Sequence, residues 1–127
     1  MGALVSVEAD ALLAASSGEA AYVAPTTPIK VALVTVIGTA TAAGTEVVGG
    51  SYARQTVTMA VPSGEAIASN VALTYTSMPA VTVVGVDEYD SAATPVRRWW
   101  GLLAASKTTN AGDTFSIASG SYTKTLS

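Results

Sequence analysis

Residues 101–127 read GLLAASKTTNAGDTFSIASGSYTKTLS, a strand, a polar turn and two further short strands. Leu102 and Leu103 continue an apolar run, and Asn110-Ala111-Gly112-Asp113 has the composition of a turn or corner. Residues 114–118 and 122–126 then alternate short apolar and hydroxyl side chains, the period-two signature of strands. The segment is almost uncharged and carries no residue type that usually performs catalysis. It predicts an all-β fold in which strands are joined by tight turns.

Working outward, the same grammar recurs. Residues 29–37 are β-branched and apolar on both alternating faces, with Val31 and Leu33 on one and Val34 and Val36 on the other, which predicts a strand covered on both sides. Gly49-Gly50 marks a turn before a strand over 52–61, and Pro62-Ser63-Gly64 ends it. Strands are also predicted over 68–76, 81–89 and 96–105. About seven strands with regular turn signals indicate an antiparallel β-sandwich, jelly-roll-like in type. Residues 5–15 form the one good helix candidate, with Ser6 as cap, Glu8 and Asp10 in the first turn, an apolar stripe at Leu12 and Leu13, and Gly18 at the exit. The expected organisation is a single domain over 1–127, with a helical and extended arm over 1–28 and the sandwich over 29–127.

Composition excludes several function classes. Half of the 127 residues are hydrophobic and 12% are charged, about half the usual charged fraction. Ala, Thr, Val and Ser supply 70 residues. Such a surface can be buried against neighbours with little desolvation cost, which predicts an oligomer. With no histidine and no cysteine, the usual general base, zinc ligands and thiolate nucleophile are missing. No phosphate-binding loop motif occurs. No enzyme activity, cofactor or metal is therefore expected, and no catalytic residue is assigned. Six Lys and Arg against nine Asp and Glu, net −3, argue against nucleic acid. No apolar run reaches membrane-spanning length, and no membrane is expected as a partner.

Two tetrads stand out. Asp87-Glu88-Tyr89-Asp90 reads as a solvated strand end entering the turn at 91–95. Arg97-Arg98-Trp99-Trp100 combines the two residue types most enriched in interface hot spots. Strict alternation would put one Arg and one Trp on each face of the strand. Its tryptophans read as one core and one surface residue, or as a subunit contact. Arg54, alone among the charges of its strand, is expected to pair with a carboxylate within or across subunits.

Gly44-Thr45-Glu46-Val47 followed by Gly49-Gly50-Ser51-Tyr52-Ala53-Arg54 resembles a "GTEVxGGxYAR" segment found in a family of small tailed-phage virion proteins. Ser106-Lys107-Thr108-Thr109-Asn110-Ala111-Gly112-Asp113-Thr114-Phe115 is similar to that family's "SKTVNAGDTF" segment. The strand over 83–90 with Ser91-Ala92-Ala93-Thr94, and Leu12-Leu13 leading to Lys30-Val31-Ala32-Leu33, resemble it more loosely. The chain departs from the family at Met78-Pro79-Ala80, where a Trp-Gly is usual, and at the double Arg–double Trp tetrad. The resemblance implies a virion structural protein, described as tail-fibre, minor tail or capsid-associated, assembled in the bacterial cytoplasm. Because the chain has no coiled-coil or collagen-like stalk, the expectation leans to a capsid decoration or cement protein, with a tail fibre, minor tail or baseplate role as the alternative. Expected partners are its own copies, as a homo-oligomer such as a trimer, and other virion proteins such as the major capsid protein. Interface candidates are Arg54, Arg97, Arg98, Trp99, Trp100, Leu12 and Leu13; Gly49, Gly50, Asn110 and Gly112 are expected to form turns.

Overall fold

The computed structural model describes residues 2–126 and is an all-β sandwich with one short helix. The strands are β1 (Ala3–Leu4), β2 (Ile29–Val36), β3 (Thr45–Glu46), β4 (Gln55–Val57), β5 (Ala66–Ala68), β6 (Leu73–Met78), β7 (Val81–Tyr89), β8 (Arg97–Thr109), β9 (Asp113–Ile117) and β10 (Thr123–Thr125); the helix α1 is Ser6–Ser16. Beyond the seven strands predicted, β1, β3 and β5 are two- or three-residue pairings too short to leave a periodic signal. The strand predicted over 52–61 narrows to Gln55–Val57.

One layer is a six-stranded sheet in the order β1-β8-β7-β2-β3, with β4 also on β2. The opposing layer consists of two ribbons, β6–β9 and β5–β10. Every paired strand runs antiparallel. The core fills the space between: Val31, Leu33, Val83 and Val86 from the large sheet meet Leu73, Tyr75, Met78, Phe115, Ile117 and Tyr122. Each such side chain contributes about 1.5–3 kcal/mol on burial. Tyr75 stacks on Tyr52 and meets Phe115 edge-on, both at 6.0 Å between centroids. Its hydroxyl donates to the Val31 carbonyl at 2.9 Å, so this buried phenol is satisfied.

The β7–β8 hairpin continues into a change of layer. β8 pairs with β7 as far as Thr109, opposite Val81, and β9 pairs with β6 in the other layer. Asn110 and Gly112 are therefore a corner between layers. The Asn110 amide donates to Asp113 Oδ2 at 2.7 Å, Asp113 N–H returns to the Asn110 carbonyl at 3.0 Å, and Gly112 takes φ +89°. At the other predicted turn, Gly49 and Gly50 have φ +116° and +56°. A Cβ on Gly50 would lie 2.3 Å from the Ser77 carbonyl oxygen, so only glycine fits both the angle and the space.

β2 is buried on both faces, as its sequence requires: residues 31–34 are all inaccessible. One face belongs to the core. The other, carrying Ala32 and Val34, lies under the chain that follows β2, where Ile37 rests on Gly85; a Cβ there would come within 2.7 Å of Ile37 Cδ1.

The arm is docked. β1 joins the edge of β8, with Ala3 opposite Trp100 and Leu4 opposite Trp99. Gly2 N–H reaches the Thr123 carbonyl at 3.2 Å, so the two ends of the chain meet. The helix begins after Val5, and Ser6 does not cap it with its side chain. Ser6 lies inside the first turn, with its amide on the Ala40 carbonyl at 2.9 Å, which does the same work. Gly18, φ +77°, ends the helix as expected. Residues 19–28 run extended and mostly exposed to β2.

Candidate interaction surface and the buried ion pairs

The acidic tetrad is the largest difference from the sequence reading. Asp87, Glu88 and Asp90 are 1%, 2% and 3% exposed; the strand end is not solvated. The reason is topological. β7 lies between β2 and β8, and cations from 8 to 36 residues away converge on it. Asp87 accepts from Arg97 Nη1 at 3.2 Å and from the Gly44 amide at 2.9 Å, while Arg97 Nη2 donates to the Thr39 carbonyl at 2.6 Å. Asp90 Oδ2 receives Arg98 Nη2 at 2.9 Å, and Oδ1 receives the Val96 and Ala92 amides. Arg98 Nη1 also reaches Glu8 of the helix at 3.3 Å. On the core side, Glu88 takes Lys124 Nζ at 3.0 and 3.1 Å and the Tyr122 hydroxyl at 3.0 Å.

A register shift in β8 arranges this. Arg97 lies opposite Tyr89, Trp99 opposite Glu88 and Trp100 opposite Asp87, with an irregularity between Glu88 and Tyr89. Arg98 is the extra residue of that bulge. Alternation breaks there, so Arg97 and Trp100 share the Asp87 face and Trp99 takes the Glu88 face. Strict alternation would group Arg97 with Trp99; the bulge groups it with Trp100 instead. Arg97 and Arg98, both interface candidates in the sequence, form ion pairs inside the subunit, 8% and 17% exposed in their side chains.

Arg54 pairs within its own chain. It forks onto Glu46 at 2.9 and 3.0 Å and lies 3.9 Å above the Tyr89 ring. Tyr52 donates to the same carboxylate at 2.8 Å and accepts the Leu33 amide at 2.9 Å. The resembling Gly44–Arg54 segment is therefore one unit: a turn that carries Glu46, Tyr52 and Arg54 to the edge of β2.

These contacts set the titration behaviour. Burial alone would raise the Asp90 carboxyl, but the Val96 amide, Arg98 and the Ala92 amide hold it below its ordinary value. Glu46 is likewise lowered, Arg54 and Tyr52 outweighing desolvation. Burial raises Tyr52, Tyr75 and Tyr122 above the ordinary phenol value, and Tyr52 and Tyr122 are raised further by the carboxylates they face. Burial and then Glu8 push Tyr22 up to about 12.

Among the described residues, five ion pairs engage four of the six cations and five of the nine acids. The charges left to the surface are Lys30 and Lys107 against Asp10, Glu19, Glu65 and Asp113. The exterior is thus poorer in charge than the composition suggests, and hydroxyl, alanine and valine side chains fill it. Its apolar part is concentrated around the arm. Leu12 is half-buried and Leu13 is 64% exposed; with Leu4, Ala9, Ser16 and Leu126 they line an open groove of about 470 Å³. Leu126 also borders a cleft of about 280 Å³ formed by Pro62, Ile67, Trp99 and Lys124, so groove and cleft are adjacent. Lys124 sits 5.0 Å over the Trp99 ring. Trp100 is half-buried, with an indole N–H that has no partner among the described residues. Nothing in the sequence around Leu126 or Pro62 singled them out; they become apolar neighbours of Trp99 only through the β5–β10 ribbon. Among the described residues no group of three acidic side chains converges as a metal site, and no helix is long and apolar enough to cross a membrane.

A family model described as "Podophage GP4 fiber I protein gp80" matches residues 3–125. No curated protein matches the chain.

Proposed function

Because the chain belongs to the podophage GP4 fiber I protein gp80 family and is a structural component of a phage virion, we propose that it serves as a non-catalytic subunit of the tail fibre. The observation that supports this reading is the inward use of charge. With four of six cations engaged inside the subunit, the exterior has few groups that must stay hydrated, and it can be covered by neighbouring virion subunits at little desolvation cost. The capsid decoration role to which the sequence leaned gives way to the alternative weighed beside it. That lean depended on the missing stalk, and a fibre is an assembly whose length can come from repetition or from other chains.

Its partners in this reading are further copies of itself and other virion proteins, contacted through the groove at Leu12 and Leu13 and the adjoining cleft at Trp99. Assembly would take place in the host cytoplasm. Antibody-gold labelling of purified virions tests the reading: label confined to appendages at the tail supports it. Label spread in many copies over the head would return the protein to capsid decoration.

A further inference from the structure

The arm is a separable module seated in a specific socket. β1 adds two residues to the β8 edge, the Val5 amide bonds the Arg98 carbonyl at 3.0 Å, and the Ser6 amide bonds the Ala40 carbonyl. Glu8, 2% exposed, enters beside Arg98. Tyr22 lies against Glu8 and belongs to the same module. Beyond it the chain is held loosely. Among the described residues the backbone from Ala21 to Pro25 makes no hydrogen bond, and Val23 is 79% exposed. The next tie is the Thr26 carbonyl on the Ser91 amide at 2.9 Å. Pro25 limits the backbone freedom of this connector.

The socket has a matching demand. Without Glu8, Arg98 would face Asp90 alone and the β8 edge would be open at Trp99 and Trp100. Any copy's arm can meet that demand equally well, because the contacts are identical. The helix is moreover apolar nearly all round; Val7 and Leu13 point away from its own subunit, 54% and 64% exposed. A helix of that composition ordinarily has cover on more than one side.

We propose that the arm, residues 2–22, is exchanged between copies, each seating its helix in the β8 socket of the next, with residues 23–25 as the hinge. Three extended residues reach about 10 Å, so the recipient is an immediately adjacent copy. The contact is head-to-tail, which closes into a ring or continues as a filament. Arm exchange is how the fibre subunits would join, and in that respect it rests on the fibre reading.

The cysteine-free chain makes the test clean. Ser6→Cys with Ala40→Cys places one thiol on the arm and one beside its socket. In assembled protein, oxidation is expected to give a ladder at multiples of the chain mass on a non-reducing gel, while each single variant gives none. Complete oxidation with all protein remaining at the chain mass would overturn the proposal. If the pair does not oxidise, charge reversal decides. Glu8→Arg and Arg98→Glu are each destabilised alone. Refolded together, exchange allows both sockets an opposite-charge pair, and the melting temperature of the mixture is expected to rise above that of either. A mixture that melts as its two components, while the double variant E8R/R98E in one chain is rescued, would also overturn it. If E8R/R98E is not rescued, Gly2→Cys with Lys124→Cys repeats the oxidation across the Gly2–Lys124 bridge, where a ladder supports exchange and product confined to the chain mass counts against it. None of these readouts depends on where the protein sits in the virion, so failure of arm exchange and failure of the fibre assignment are distinguishable.

Discussion

Replacing Arg97 with Met removes the cation from Asp87 while keeping much of the side-chain volume. Asp87 is 1% exposed and would retain only the Gly44 amide; Thr39 would lose the donor at its carbonyl. Breaking one partner of a buried pair costs about 3–5 kcal/mol because an uncompensated charge stays buried. Domains of this size are stable by about 5–15 kcal/mol, so the variant forfeits about a fifth of the total or more. At roughly 3–5 °C per kcal/mol, by interpolation for this length, the midpoint is expected to fall by about 10–25 °C in thermal unfolding followed by circular dichroism. A solvated ion pair would lose about 0–1 kcal/mol and be screened by salt. The decisive comparison is therefore Arg97→Met in low salt and in 1 M NaCl. A loss below 1 kcal/mol, or one that vanishes in salt, would refute the buried-pair account. The double variant R97M/D87L should recover most but not all of the loss, since Gly44 and Thr39 remain unpartnered.

Acid unfolding follows from Asp90 and Glu46, whose folded pKa values are lowered. Their contribution is complete above their ordinary values of 3.8 and 4.5 and is lost as pH falls below these through the folded values; a pH titration of the unfolding midpoint should be flat at neutrality and drop only below about pH 4.5. Alkaline loss should begin above pH 10, as the raised phenols of Tyr52, Tyr75 and Tyr122 are forced to ionise, and difference absorbance at the tyrosinate band should rise with unfolding and not before it. Gly50→Ala should cost clearly more than Gly112→Ala in denaturant melts: both have positive φ, but only Gly50 would drive its Cβ into a carbonyl oxygen, at 2.3 Å, whereas Gly112 faces open space. Leu13→Ser, at a 64% exposed position, should leave monomer stability within about 0.5 kcal/mol and weaken self-association in sedimentation velocity.

The longest strands were legible because their side chains say both where they are and what covers them. β2 carries the apolar run 31–34 and β7 the valine-rich run 81–86, and Gly49-Gly50 and Asn110-Gly112 mark turns in the sequence as in the structure. The pairings of β1, β3 and β5 were not, since two or three residues hold no period. The ion pairs were the harder loss. Arg97 is ten residues from Asp87, but Lys124 is 36 from Glu88 and Arg98 is 90 from Glu8. An acidic run beside a turn looks solvated until the partners arriving from elsewhere are known. The bulge at Arg98 was equally hidden, and it alone decides which tryptophan faces the Asp87 side. Arg54 was readable as a paired charge, though its partner Glu46 came from the turn just before it and not from a neighbour.

The meeting of Gly2 with Thr123 has a bearing on how the protein is made. β10 is the last of the ten strands in chain order, yet Glu88 waits for its Lys124 and Tyr122, and Gly2 beside β1 waits for Thr123. Bringing such distant residues together costs about 4 kcal/mol in loop-closure entropy. The domain therefore completes itself only once residues 122–124 have joined, and until then Glu88 and the edge of β8 are open to whatever other newly made copies are close by.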